Sequence, residues 1–140
     1  VGARLTLALA LAAALATAAE AASPAVGYAL QCQGCHLADG AGTPGSVPAL
    51  AGSVARFVAV PGGREYLLRV PGVAQSSLDD AALAELMNWM LRRFDADHLP
   101  PDFRPYAADE VGRWRHQPLV DVEGARRALL DAMEARPSPR

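Results

Sequence analysis

The chain of 140 residues contains no lysine; all thirteen of its basic residues are arginine. It has only two cysteines and three histidines. Each shortage excludes something. Fifteen acidic residues against thirteen basic ones leave a formal charge of −2. Nucleic-acid binding, which needs a clear basic excess to neutralise phosphates, is therefore excluded as a main role. A second cysteine pair is absent, so a four-cysteine zinc site is excluded. The chain also lacks a glycine-rich phosphate loop and any recognisable nucleophile motif. From Asp79 onward twelve acidic residues face nine arginines, which makes the second half mildly acidic and well solvated.

What is present begins with Arg4, followed by the apolar run LTLALALAAALATAA and then small residues. This is the order of a secretory signal, and Ala19-Glu20-Ala21 fits its cleavage site. Residues 1–21 are expected to be a signal peptide directing the chain to the periplasm. The rival reading is an uncleaved anchor, but the run is short and alanine-rich for a membrane span. After cleavage no stable membrane insertion is expected. The remaining 119 or so residues suffice for one modest core.

Both cysteines and one histidine fall in Cys32-Gln33-Gly34-Cys35-His36. Three chemistries compete for this pentapeptide. A thiol–disulfide redox pair uses the C-x-x-C spacing, but within a βαβ setting. Here SPAVGYALQ precedes the motif and reads as a helix. Zinc would find at most three ligands. The third is covalent haem c, in which the two thiols add across the haem vinyl groups and His36 binds iron. Behind a signal peptide, with no other cysteine in the chain, haem c is the expectation.

The flanks carry a resemblance. Tyr28 lies four residues before Cys32, on a helix that Ser23 can cap and Pro24 can begin. Pro48 lies twelve residues after His36, in Pro48-Ala49-Leu50-Ala51-Gly52, behind the glycine- and proline-rich loop ADGAGTPGSVP. Ser77-Leu78-Asp79-Asp80 reads as a helix cap. Leu83, Leu86, Met87, Met90, Leu91 and Phe94 then recur at helical spacing. In these features the sequence resembles the class I (mitochondrial-type) monohaem cytochromes c. The resemblance implies an all-α cytochrome c fold, with N- and C-terminal helices crossed at Tyr28 and Trp89 around one covalent haem. It implies that the Pro48 carbonyl accepts the second N–H of His36, and that Leu50 packs on the haem. It covers residues 24–94. The expected organisation is a signal peptide at 1–21, a cytochrome c domain at 22–94, and an extension at 95–140 packed on or flanking it.

The family's sixth iron ligand is a methionine in a P-G-x-x-M loop. Here Val70-Pro71-Gly72-Val73-Ala74-Gln75 supplies the frame, and Gln75 stands at the methionine position. Its amide oxygen is a harder donor than a thioether, favours ferric iron and is easily displaced. The other candidates are Met87 and Met90 on the helix, and Met133, His98 and His116 beyond it.

In the extension, DADHLPPDFRPY is too proline-rich for a regular helix and carries Phe103 and Tyr106 as anchors. A short helix is expected over 107–115, with Val111 and Trp114. Asp121 then caps another, whose apolar face is Val122, Ala125, Leu129, Leu130 and Met133. The terminal RPSPR reads as frayed. Arg56, Arg64, Arg69, Arg92 and Arg93 are candidate steering charges, although surface arginines are more often merely solvated. The implied function is single-electron transfer between redox partner proteins, namely a periplasmic dehydrogenase and a terminal oxidase or reductase, without catalysis of its own. The alternative is a haem-based small-ligand binding or sensing protein with a weak or open sixth site. A haem-free thiol oxidoreductase is the third reading.

Overall fold

A computed structural model describes residues 23–135. The signal-peptide reading of 1–21 and the frayed RPSPR end lie outside the described residues. Among the described residues the architecture is helical, and the only β feature is an isolated bridge between Thr43 and Val47. None of the described helices is long and apolar enough to cross a membrane.

Helix α1 spans Pro24–Gln31. The Ser23 hydroxyl accepts from the Val26 N–H, and Pro24 occupies the first turn, where its missing N–H costs nothing. A single turn, α2 (Gln33–His36), follows at once. It ends at Leu37, whose φ of 64° is unusual for a residue with a side chain. Two contacts hold Leu37 there: its N–H donates to Gln33 O at 2.9 Å, and its carbonyl accepts from the Tyr28 hydroxyl at 2.6 Å.

The glycine-rich loop then turns back. At Gly42 φ is 67°, and a Cβ would overlap the Val47 carbonyl oxygen, so only glycine fits. A 3₁₀ segment, η1 (Val54–Ala59), leads into α3 (Gly63–Arg69). Gly63 lets α3 approach η1 so closely that a Cβ would collide with the Phe57 carbonyl. Pro71 ends α3 and opens the one-turn α4 (Pro71–Ala74).

The long helix α5 runs Asp80–Asp95. Its cap is Asp79, whose carboxylate accepts from the Ala82 N–H at 2.8 Å, and not Ser77. Ser77 is engaged elsewhere: its N–H donates to Gln31 Oε1 and its hydroxyl accepts from Gln31 Nε2. Helix α1 crosses α5 at an aromatic cluster. Tyr28 lies 5.6 Å from Trp89 and 4.9 Å from Phe94, measured between ring centroids. Such pairs contribute about 0.5–1.5 kcal/mol each beyond their buried area.

A short 3₁₀ turn, η2 (Ala96–His98), precedes the extension. The extension carries α6 (Ala108–Arg115) and α7 (Val122–Glu134), the latter capped by Asp121, which accepts from Gly124 N–H at 2.8 Å. Helix α6 packs on α5 and α3, and α7 packs on α3. Val111 is fully buried. The Asn88 amide pairs with the Tyr106 backbone as both donor and acceptor, at 2.9 and 2.8 Å. Arg64 holds Glu110 through two bonds of 2.9 and 2.8 Å and stacks 4.3 Å from the Tyr106 ring. The extension and the helices before it thus share one core.

Candidate functional site

A mostly apolar cleft of about 260 Å³ opens between these elements. From the start and body of α2 it receives Cys32, Cys35 and His36; from the returning loop, Pro48 and Leu50. Helix α3 contributes Tyr66 and Leu67, and α5 contributes Leu83, Leu86, Met87 and Met90. Close packing of α1 on α5 forces this convergence, because α2 continues directly from α1.

The His36 Nδ1 lies 3.1 Å from the Pro48 carbonyl oxygen. A carbonyl only accepts, so Nδ1 carries the proton and donates. That leaves the Nε2 lone pair free to bind a metal. Burial pushes the His36 pKa below its usual 6.5, and the bond to Pro48 only partly opposes this. The ring is therefore neutral near pH 7, as a ligand must be. Both cysteines are free thiols. Burial pushes the Cys32 thiol up, and repulsion from Cys35 adds to it. A redox-active C-x-x-C pair needs the opposite, a stabilised thiolate. An apolar cleft, two adjacent thiols and an oriented imidazole fit a covalently held haem.

The remaining predicted positions divide sharply. Met87 and Met90 line the cleft and are only 2% and 5% exposed. Gln75 does not line it. Gln75 is the exposed residue that ends α4, and the turn of α4 directs Gly72, Val73 and then Ser76 to the cleft instead. Gln75, which the P-G-x-x-M frame sets at the methionine position, thus lies on the outer side of a helical turn. His98 is held by Asp95 at 2.5 Å and by Arg56 at 3.3 Å, away from the cleft. His116 is exposed at the end of α6. Met133 packs against the core without lining the cleft. Nor are the steering arginines all free: Arg64 is paired with Glu110, and Arg69 donates to the Gln117 carbonyl at 2.7 Å.

Sequence reasoning missed two contributors. Arg115 is 7% exposed and donates to the carbonyls of Ser76 and Leu78, so α6 fixes the segment that edges the cleft. Arg126 enters the cleft from α7, with Val122 beside it. A signal for Arg126 existed. It sits four residues after Val122 and three before Leu129, so it interrupts the apolar stripe of its own helix with a charge.

No family model matches the chain. Two curated proteins do, both named cytochrome c-552 and both from Thermus thermophilus. Each is 35% identical over 108 residues, covering 64% of this chain and 82% and 73% of the respective relatives.

Proposed function

The chain belongs to the class I c-type cytochromes, electron carriers with covalently bound haem c, and we propose that it carries single electrons between periplasmic redox proteins. Bound haem supplies the one-electron ferric–ferrous couple. The chain's own residues attach it, orient its ligand and exclude water. Cys32 and Cys35 form the two thioether links, and His36 Nε2 binds the iron. The Pro48 carbonyl, by accepting from Nδ1, fixes the ring and raises its basicity. Leu50, Leu83 and Leu86 keep the cleft dry. The observation that carries this reading is the His36–Pro48 hydrogen bond beside the cysteine pair.

The signal-like pattern of residues 1–21 supports a periplasmic location. The donor is read as a dehydrogenase and the acceptor as a terminal oxidase or reductase. Haem that stays with the polypeptide through acidic organic extraction, and is lost in Cys32→Ala and Cys35→Ala, tests the attachment. Extractable haem, or none, would refute it.

One observation favours a second reading, a small-ligand binding protein with a weakly held sixth site. Between Ala74 and the Asp79 cap stand only Gln75, Ser76, Ser77 and Leu78, so the loop before α5 offers no sulfur donor. The optical spectrum with and without carbon monoxide separates the two. A low-spin spectrum indifferent to carbon monoxide supports the carrier alone.

A further inference from the structure

Arg126 is the one arginine on the cleft wall, and among the described residues its Nη1 is one of two buried side-chain polar atoms without a hydrogen-bond partner. Its guanidinium lies 5.4 Å from the centroid of the Phe57 ring, which itself stacks on Tyr66 at 5.2 Å. A buried guanidinium N–H left unpaired is costly, because it has given up water without gaining an acceptor, and the contact with Phe57 compensates only the ring face. No acidic side chain lines the cleft. A group that fills the cleft can supply the missing acceptor, and an anionic one suits a guanidinium best.

Haem brings two carboxylates. They lie on the edge of the macrocycle away from the vinyl groups that the cysteines capture. Arg126 reaches the cleft from α7, which packs on α3, whereas the cysteines come from the turn of α2, which packs on α1. We propose that Arg126 binds a haem propionate, making the C-terminal extension part of the cofactor site. This rests on the haem reading above. The two N–H groups of one guanidinium edge suit a carboxylate, and the apolar surround of Phe57 and Val122 strengthens the pairing. The cation also favours the reduced haem, which carries one positive charge less.

The test is carried out on the haem-loaded full chain, with Arg126→Leu, Arg126→Lys and Leu129→Ala. Leu129 packs against the core from α7, so its truncation loosens the helix without removing the charge. In Arg126→Leu the propionate bending band in the resonance Raman spectrum shifts and the reduction potential falls. Arg126→Lys recovers part of the potential, because the charge returns without the fork. Leu129→Ala leaves both near wild type. Unchanged propionate bands and potential in Arg126→Leu would overturn the proposal. So would a shift in Leu129→Ala as large as that in Arg126→Leu, since packing alone would then explain it. A chain that takes up no covalent haem refutes the parent reading, whereas a loaded chain with an indifferent Arg126 refutes only this one.

Discussion

Arg115 in α6 donates to the carbonyl of Leu78 at 2.7 Å, joining residues 37 positions apart. The same guanidinium donates to the Ser76 carbonyl and to Asp80 Oδ1, the latter at 3.2 Å. One side chain thus ties the segment that edges the cleft to the start of α5. Since Ser76 lines the cleft, the extension acts on the site at two places, through Arg115 and through Arg126.

Replacing Arg115 by leucine should destabilise the protein by about 2–4 kcal/mol, because a buried and a part-buried carbonyl lose their donor and Asp80 loses its ion pair. Lysine should recover little, as a point charge cannot serve three acceptors in a planar fork. Urea unfolding of the three proteins checks this. A loss below about 0.5 kcal/mol for the leucine variant would mean that water replaces the bonds at no cost.

The crossing of α1 and α5 at Tyr28 and Trp89, and the pairing of Pro48 with His36, came from the family resemblance that the spacing from the cysteines carries, whereas the two helices themselves were legible from caps and local periodicity. The helices of the extension were legible for the same reason, from Asp121 as a cap and the stripe from Val122 to Met133. The segment from Pro71 to Asp79 was not. Its conformation depends on Gln31 claiming Ser76 and Ser77, and on Arg115 claiming two carbonyls, contacts that span 37 to 46 residues. Counting along the chain carries no information about such pairs, so the iron-facing position read for Gln75 fell on an exposed turn.

The shifted His36 pKa gives stability a pH dependence of definite sign. In the folded chain His36 is held below 6.5, mainly by burial. On unfolding it regains the ordinary value and binds a proton more readily. The unfolded state therefore gains protons first as pH falls. The His36 contribution is fully present above about pH 6.5 and is lost as pH drops toward the lowered folded value. Iron bound at Nε2 would compete with the same proton. Denaturation midpoints should fall on going from about pH 7.5 to about pH 5.5. A midpoint that rises over this interval would contradict the assignment.

Leu37 stores strain next to His36, and Tyr28 restrains it. Burial raises the Tyr28 pKa first, with Cys32 and Asp39 adding to it, so the hydroxyl stays protonated and donates. Tyr28→Phe should cost about 1 kcal/mol for the lost bond to Leu37 O. Leu37→Gly should stabilise by about 1 kcal/mol, since glycine adopts a φ of 64° freely. The double variant should then lie near wild type. A Leu37→Gly variant less stable than wild type would show that the exposed leucine contributes more by packing than its backbone costs.

Met87 and Met90 decide how the sixth iron position is held. Both lie on α5, the helix pinned by Tyr28, Trp89 and Phe94 at one face and by the Asp79 cap at its start. Their neighbours Leu83, Leu86 and Leu91 are buried with them in the same cluster. A methionine at helical spacing within such a cluster fills volume, but both of these also line the cleft, where a sulfur can serve as a ligand. Met87→Leu and Met90→Leu should both fold and lose less than about 1.5 kcal/mol, and the carrier reading expects one of them alone to change the ferric spectrum. On the carrier reading the ferrous wild type ignores carbon monoxide, and only a variant that lacks the sixth ligand binds it promptly. A far-red ferric band that disappears in one variant alone would assign that methionine as the ligand. The protein would then be a closed, low-spin carrier, and the ligand-binding reading would fall.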